Sequence, residues 1–185
     1  MQDKRAEIVD GVWAVIARQG ITAVSVRSVA AAAGVSPGRV QHYFATKTEL
    51  VRASAEAMLD GAAEANPEAL GDPADSATLR ALLTHAIEPA ASSRAGTSVY
   101  FNFVAASVGD PWIGQALAQA RAGVVDEVER CLRAQGVEAS ASELALELTL
   151  LAEGATQSVF LGWCRPDQAL DTIHRAIGRA TGSVR

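Results

Sequence analysis

Gln41 and Arg39 are side chains able to read the edge of a base, and Lys47, a few positions on, is one able to hold a phosphate. A glutamine carboxamide pairs two-pronged with adenine N6 and N7, and an arginine guanidinium with guanine O6 and N7. Each such pair is worth about 1–3 kcal/mol of discrimination against the wrong base. Around them stand Arg27, Ser36, Pro37, Gly38, His42 and Tyr43. Pro37 and Gly38 remove bulk, so a helix carrying them can come close to thymine methyls or to the sugar-phosphate backbone. Lys47 at a helix start adds its charge to free N–H groups, which together suit a phosphate. Plainer readings exist for the same residues. Arg27 and Arg39 can be solvated surface charges, Tyr43 a packing residue with its hydroxyl in water, and His42 an ordinary exposed side chain.

These side chains act together only if helices align them, and the surrounding stretch supplies the signals. Ser25 to Leu50 reads SVRSVAAAAGVSPGRVQHYFATKTEL. Ser25 can cap one helix, with Val24 and Val29 as its hydrophobic staple. Ala30 is small where two helices must nearly touch, and Gly34 suits a turn that needs positive φ. Val35 and Val40 fill the angle between the helices. Ser36 caps the second helix and Pro37 takes its first turn, where a missing N–H costs nothing. Thr46-Lys47-Thr48-Glu49 is a capping box that opens the next helix. Before all this, Lys4 to Gln19 has a helical period, with Ile8, Val12, Val15 and Ile16 on one face and Gly20 as its stop. Trp13 and Phe44 are assigned to the core. A helix pair joined by a short glycine turn is the arrangement that sets a second helix into the major groove.

The segment resembles the N-terminal DNA-binding domain of the TetR family of bacterial transcriptional regulators. The residues that carry the resemblance are Val29-Ala30, Gly34-Val35-Ser36, Val40, Tyr43-Phe44, Lys47 and Leu50. It implies a groove-facing set of Arg27, Pro37, Gly38, Arg39, Gln41, His42 and Tyr43, with Lys47 on the DNA backbone, and the helix cap Ser36 is a DNA-binding candidate beside them. The family commonly has tyrosine where this chain has Gln41. The variant VQHYF resembles a subgroup that includes choline-responsive, BetI-like repressors.

Charge is divided unevenly along the chain. The net value is −5, yet residues 1–52 hold seven Lys/Arg against four Asp/Glu, and residues 53–185 hold nine against seventeen. A basic head on an acidic body suits a duplex binder with a separate regulatory part. The head is only mildly basic, so pairing two of them is expected. Three scattered histidines (His42, His85, His174) without metal-ligand spacing, and the lack of a Gly-rich phosphate loop, nucleophile elbow or paired carboxylates, argue against an enzyme. No metal or cofactor is expected. No apolar stretch is expected to span a membrane, and the charged N-terminus is unlike a signal sequence. Cys131 and Cys164 lie far apart without a partner motif, which fits a reduced, cytoplasmic protein; the resemblance implies a bacterial one, on the nucleoid when bound to its operator.

With 49% hydrophobic residues, helical periods throughout and no alternating strand pattern, the expected fold is all-α with about nine helices. A three-helix helix-turn-helix domain (1–50) is expected ahead of a helical effector-binding and dimerisation domain (51–185). The predicted later helices are Thr46 to about Ala65, Ser76–Glu88, Thr97–Val108, Pro111 to about Ala134, Ser142–Gly162 and Pro166–Ala180. Asn66–Asp75 reads as the clearest loop.

The last two helices are apolar around much of their circumference, so they are either central or buried in an interface. The resemblance implies a four-helix contact with a second copy, for which Leu148, Leu151, Ala155, Phe160, Leu170, Ile173 and Ile177 are the candidates. A small-molecule site is a further expectation. Its candidates are the polar groups His85, Asn102, Glu153 and Gln157 set among apolar helices, with Tyr100, Phe103, Trp112 and Trp163. Aromatic residues at helical spacing can equally be core. For a cationic ligand, Glu153 with Trp112 or Trp163 would form a cage.

Together these observations lead to the expectation of a ligand-responsive homodimeric regulator, a repressor that an unidentified small molecule releases from a palindromic double-stranded DNA operator. The alternatives are a helix-turn-helix used as a protein-binding scaffold or, last, an enzyme.

Overall fold

A computed structural model of the chain describes residues 4–64, 69 and 71–182. Among them are ten α-helices, one short 3-10 turn and no strand. The helices are α1 Lys4–Gln19, α2 Val26–Ala33, α3 Pro37–Tyr43, α4 Lys47–Glu64, α5 Ser76–Thr84, α6 Ile87–Ser92, α7 Ala95–Ala106, α8 Pro111–Ala134, α9 Ala141–Leu161 and α10 Pro166–Ala180. The 3-10 turn, Ile21–Ala23, joins α1 to α2. The helix expected over 76–88 divides into α5 and α6. Pro89 cannot sit deep inside a helix, but it fits the first turn of a new one that starts at Ile87. The expected end of the connecting helix at Ala65, and residues 66–68 and 70 of the loop, lie outside the described residues.

Two compact units share the chain. The first holds the residues up to Gly61 together with Ala95–Ala118, and the second holds Ala62–Arg94 and the chain from Gln119 on. The 50/51 boundary expected from sequence does not coincide with either. Val51, Ala53 and Ala55 of α4 are buried with the helix-turn-helix, and so are Val99 and Phe103 of α7 and Ile113 of α8.

In the first unit α1 packs on α2 and on α7. Its face of Ile8, Val12, Val15 and Ile16 meets Val29, Ala30, Val40, Phe44 and Leu50. A close approach of α1 to α2 depends on Gly11, where a Cβ would stand 2.9 Å from the Ala33 Cβ and 3.1 Å from the Val29 carbonyl. Trp13 is only partly buried, packed against this core rather than within it. Its indole has a polar task, since Nε1 donates to the Ser54 carbonyl at 3.0 Å and ties α1 to α4.

The second unit is built round α9, which packs against α5, α6 and α10. Its core joins Leu79 and Leu83, Ile87 and Ala90, Val128 and Leu132, Ala145, Leu148 and Val159, and Ile173 and Ile177. Contrary to the sequence expectation, α9 is by length and composition apolar enough to cross a membrane, with 21 residues and a mean hydropathy of 1.2 over an 18-residue stretch. It packs one side against three helices of this unit, and only 28% of its apolar stretch is buried there. Cys131 is fully buried and Cys164 half-buried, both as free thiols. Burial pushes the Cys131 thiol above its ordinary value, which disfavours the reactive thiolate.

Candidate nucleic-acid interface

The helix-turn-helix is assembled from short-range bonds that the residue types make available. Ser25 caps α2 by accepting from the Ser28 N–H at 3.1 Å, and the Ser28 hydroxyl accepts from the Ser25 N–H at 2.9 Å. This serine pair forms a capping box without a carboxylate. Gly34 ends α2 in the left-handed region, at φ 65°, which a Cβ would penalise. The Val35 N–H then donates to the Ala30 carbonyl at 3.0 Å, as a tight helix exit requires. Ser36 opens α3 by accepting from the Arg39 N–H at 3.2 Å, and Pro37 fills the first helical position.

Burial sorts the two faces of α3. Val40 is wholly buried and Phe44, which ends the helix, is 2% exposed. Pro37, Gly38, Arg39, Gln41, His42 and Tyr43 are exposed, as are Ser36 and, on α2, Arg27. His42 meets the Tyr43 ring edge-on, with centroids 5.4 Å apart. Of the box expected at the start of α4 the Thr46 half forms, while Glu49 reaches one residue further back than the N-cap. The Thr46 hydroxyl accepts from Glu49 N–H at 3.0 Å, while the Glu49 carboxylate reaches back to the Ala45 N–H at 2.8 Å. Lys47 is the exposed first residue of that helix.

Neither α2 nor α3 carries an acid in its first turn. Among the described residues, Arg27, Arg39 and Lys47 are in no ion pair. Uncompensated positive charge beside two helix starts suits a polyanion. Gln41 and Arg39 stand on the same exposed helix as donors and acceptors for base edges.

The expected ligand residues fall in both units. Phe103 is fully buried in the core of the first unit. In the same unit Asn102 uses its Oδ1 to accept from the Ile21 N–H at 3.0 Å and its Nδ2 to donate to the Ser98 carbonyl at 2.9 Å. Tyr100 is half-buried with its ring edge-on to Phe101. Trp112 lies beneath the Arg52 guanidinium. In the second unit Glu153 pairs with Arg121 at 2.5 Å, Trp163 is 75% exposed, and His85 and Gln157 are exposed. His85 and Gln157 face solvent, and Asn102 and Glu153 are already engaged.

The expected interface set also divides. Leu148, Ile173 and Ile177 are buried inside the second unit's own core, with Leu151, Ala155, Phe160 and Leu170 packed against it. The apolar side chains that α9 leaves in solvent are Leu146, Leu150 and Leu161, at 51, 57 and 64% exposure.

Three features of the first unit are not marked by any sequence motif: the Gly11–Ala33 approach, the Asn102 bond to Ile21 and an ion pair between Arg52 and Asp110. Only a glycine in the middle of a helical period, and a polar Asn in the apolar run VYFNFV, hinted at the first two.

A glycine-turn helix pair with a capped, polar second helix and a basic start to the next defines a helix-turn-helix DNA-binding domain. Residues 8–54 match the sequence model of the bacterial regulatory proteins of the tetR family. Over this segment the chain is similar to the DNA-binding part of that family.

Among curated relatives, the transcriptional repressor KstR2 of Rhodococcus jostii is 32% identical over 98 residues, which is 52% of this chain and 48% of that protein. The chain thus spans about half the length of that relative. A solved transcriptional regulator from Rhodococcus sp. has the same fold, with a TM-score of 0.82 at 23% identity over 97% of this chain and 96% of its own. A regulator from Saccharomonospora viridis, solved in complex with choline, superposes with a TM-score of 0.81 at 21% identity over 96% of both chains. These relatives are transcriptional regulators, not enzymes.

Proposed function

We propose that this protein is a cytoplasmic, homodimeric transcriptional repressor that a small molecule releases from a palindromic operator. The observation that carries the reading is the sorting of α3, with Val40 buried on one side and Arg39, Gln41, His42 and Tyr43 exposed on the other. Gln41 and Arg39 read base edges, and Arg27 and Lys47 hold the phosphates that fix the register.

Pairing supplies affinity that one mildly basic head lacks. The exposed Leu146, Leu150 and Leu161 of α9 support a two-fold contact between copies, because solvated leucines in a row on one helix favour burial. Two heads related by a two-fold axis read half-sites one helical turn apart, at about 10–10.5 base pairs.

The effector is read as a small organic molecule bound within the second domain. Choline in the Saccharomonospora viridis structure, and the VQHYF variant, favour an organic cation. By linkage, an effector that weakens operator binding is itself bound more weakly when the operator is present, by the same factor.

Selection from a randomised duplex library at near-physiological salt tests the reading. Enrichment of a two-fold motif with half-sites about 10–10.5 base pairs apart is the expected result. No enrichment at any salt, from folded and dimeric protein, would leave the helix-turn-helix as a protein-binding scaffold.

A further inference from the structure

Arg52 of α4 meets Asp110 through two parallel hydrogen bonds, Nε to Oδ2 at 2.9 Å and Nη2 to Oδ1 at 2.8 Å. The two residues are 58 positions apart in sequence and belong to the same compact unit. The guanidinium also lies 5.5 Å from the centre of the Trp112 ring. Asp110 has a second duty, because its Oδ1 accepts from the Trp112 N–H at 3.1 Å as α8 begins. One carboxylate therefore both starts α8 and holds α4.

A lone exposed ion pair contributes little to stability. A planar, two-pronged pair does something else: it sets direction as well as distance. Lys47 and Arg52 share α4, a little more than one turn apart, and α3 precedes Lys47 by a short turn. A tilt of α4 about Arg52 therefore carries Lys47 and the exposed face of α3 with it. A second tie comes from the same 95–118 segment, where Asn102 of α7 accepts from Ile21 just ahead of α2. Two ties on different helices restrain rotation as well as position.

We propose that Arg52 and Asp110 are positioning residues for duplex recognition. Their pairing fixes the pitch of α4 against the start of α8, and so sets which half-site spacing a dimer accepts. The proposal rests on the dimeric DNA-binding function proposed above.

The test uses the full chain and three duplexes: the selected operator, and the same half-sites with one base pair added or removed between them. Each change displaces a half-site by about 3.4 Å and rotates it by about 35°. The wild type is expected to prefer the selected spacing by about tenfold, comparable to the cost of a mismatched base pair. Asp110→Asn retains a good helix cap while removing the ionic partner, and a thermal melt verifies that it folds. Its preference is expected to fall to about threefold or less, and Arg52→Gln should behave alike.

Removing an acid by itself predicts tighter binding of all three duplexes, with their ratio unchanged. That result would overturn the proposal, as would a wild type indifferent to spacing. A wild type that binds no duplex would overturn the regulator reading along with it.

Discussion

The Asn102 carboxamide accepts the backbone N–H of Ile21 at 3.0 Å, joining α7 to the turn that leads into α2 across 81 positions of chain. Gly20, just before it, adopts φ 80° and presents that amide. The bond makes α7 part of the DNA-binding unit. Asn102→Leu leaves a half-buried N–H without an acceptor, which costs about 1–3 kcal/mol. Asn102→Asp keeps the acceptor and should lose less. Urea denaturation of both variants measures the difference, and equal losses would show that the Ile21 bond is not the source.

Gly11→Ala places a methyl group 2.9 Å from the Ala33 Cβ. Alanine favours a helix over glycine by about 1 kcal/mol, but forced separation of packed helices costs about 1–3 kcal/mol. A net loss of stability is expected because the second contact, 3.1 Å from the Val29 carbonyl, is backbone and cannot rotate away. Adding Ala33→Gly should restore part of the loss in a thermal melt. A single variant as stable as the wild type would show that α1 and α2 can move apart freely.

Lys47 and Gln41 are expected to fail in different ways. Lys47→Ala should weaken binding to every duplex alike and reduce the slope of log K against log salt by about one unit. Gln41→Ala should relax preference at one base pair in each half-site, at a cost of about 1–3 kcal/mol there. Titrations at several salt concentrations, on matched and single-substituted duplexes, separate the two. A sequence-selective loss for Lys47→Ala would reverse the assignment.

Glutamates at two solvent-facing positions of α9, Leu146→Glu with Leu150→Glu, should convert the dimer to monomer without unfolding it. Both residues are more than half exposed in the protomer, so folding does not require them to be apolar, whereas burial in an interface would. Sedimentation equilibrium reads the mass, and retained dimer would move the contact to another surface.

Acid should loosen the first unit through Asp110. Hydrogen bonds from Arg52 hold its carboxyl below the ordinary carboxylate value. A group depressed in the folded state stabilises fully above its unfolded value, near pH 4, and that contribution is lost as pH falls through the folded value. Glu129 beside Arg133 and Asp167 beside Arg165 are shifted in the same direction. The melting temperature should therefore fall below about pH 4, and less steeply in Asp110→Asn. An identical profile in that variant would remove Asp110 from the acid response.

Much of the head was legible in the sequence because its signals are local. Ser36 caps a helix through an amide three residues on, and Gly34 leaves one through a bond to Ala30. Bonds of this span depend on residue type and spacing, both of which a sequence displays. The exposed face of α3 follows in the same way from Val40 and Phe44 turning inward.

The partners of polar groups on the later helices were a different matter. Asn102 and Glu153 stood out only as polar groups among apolar helices, and tertiary structure supplies Ile21 for one and Arg121 for the other. On α9 the apolar period wraps nearly the whole helix, so composition could not say which leucines face inward. Packing against α5, α6 and α10 buries Leu148 and leaves Leu146 and Leu150 in solvent. The sequence by itself determined the caps, the turn and the reading face, since each arises within a few residues of chain. Only the tertiary structure decided that α7 and the start of α8 belong with the DNA-binding unit, because the Asn102 and Arg52–Asp110 bonds join residues that chain distance keeps apart until the whole unit has folded.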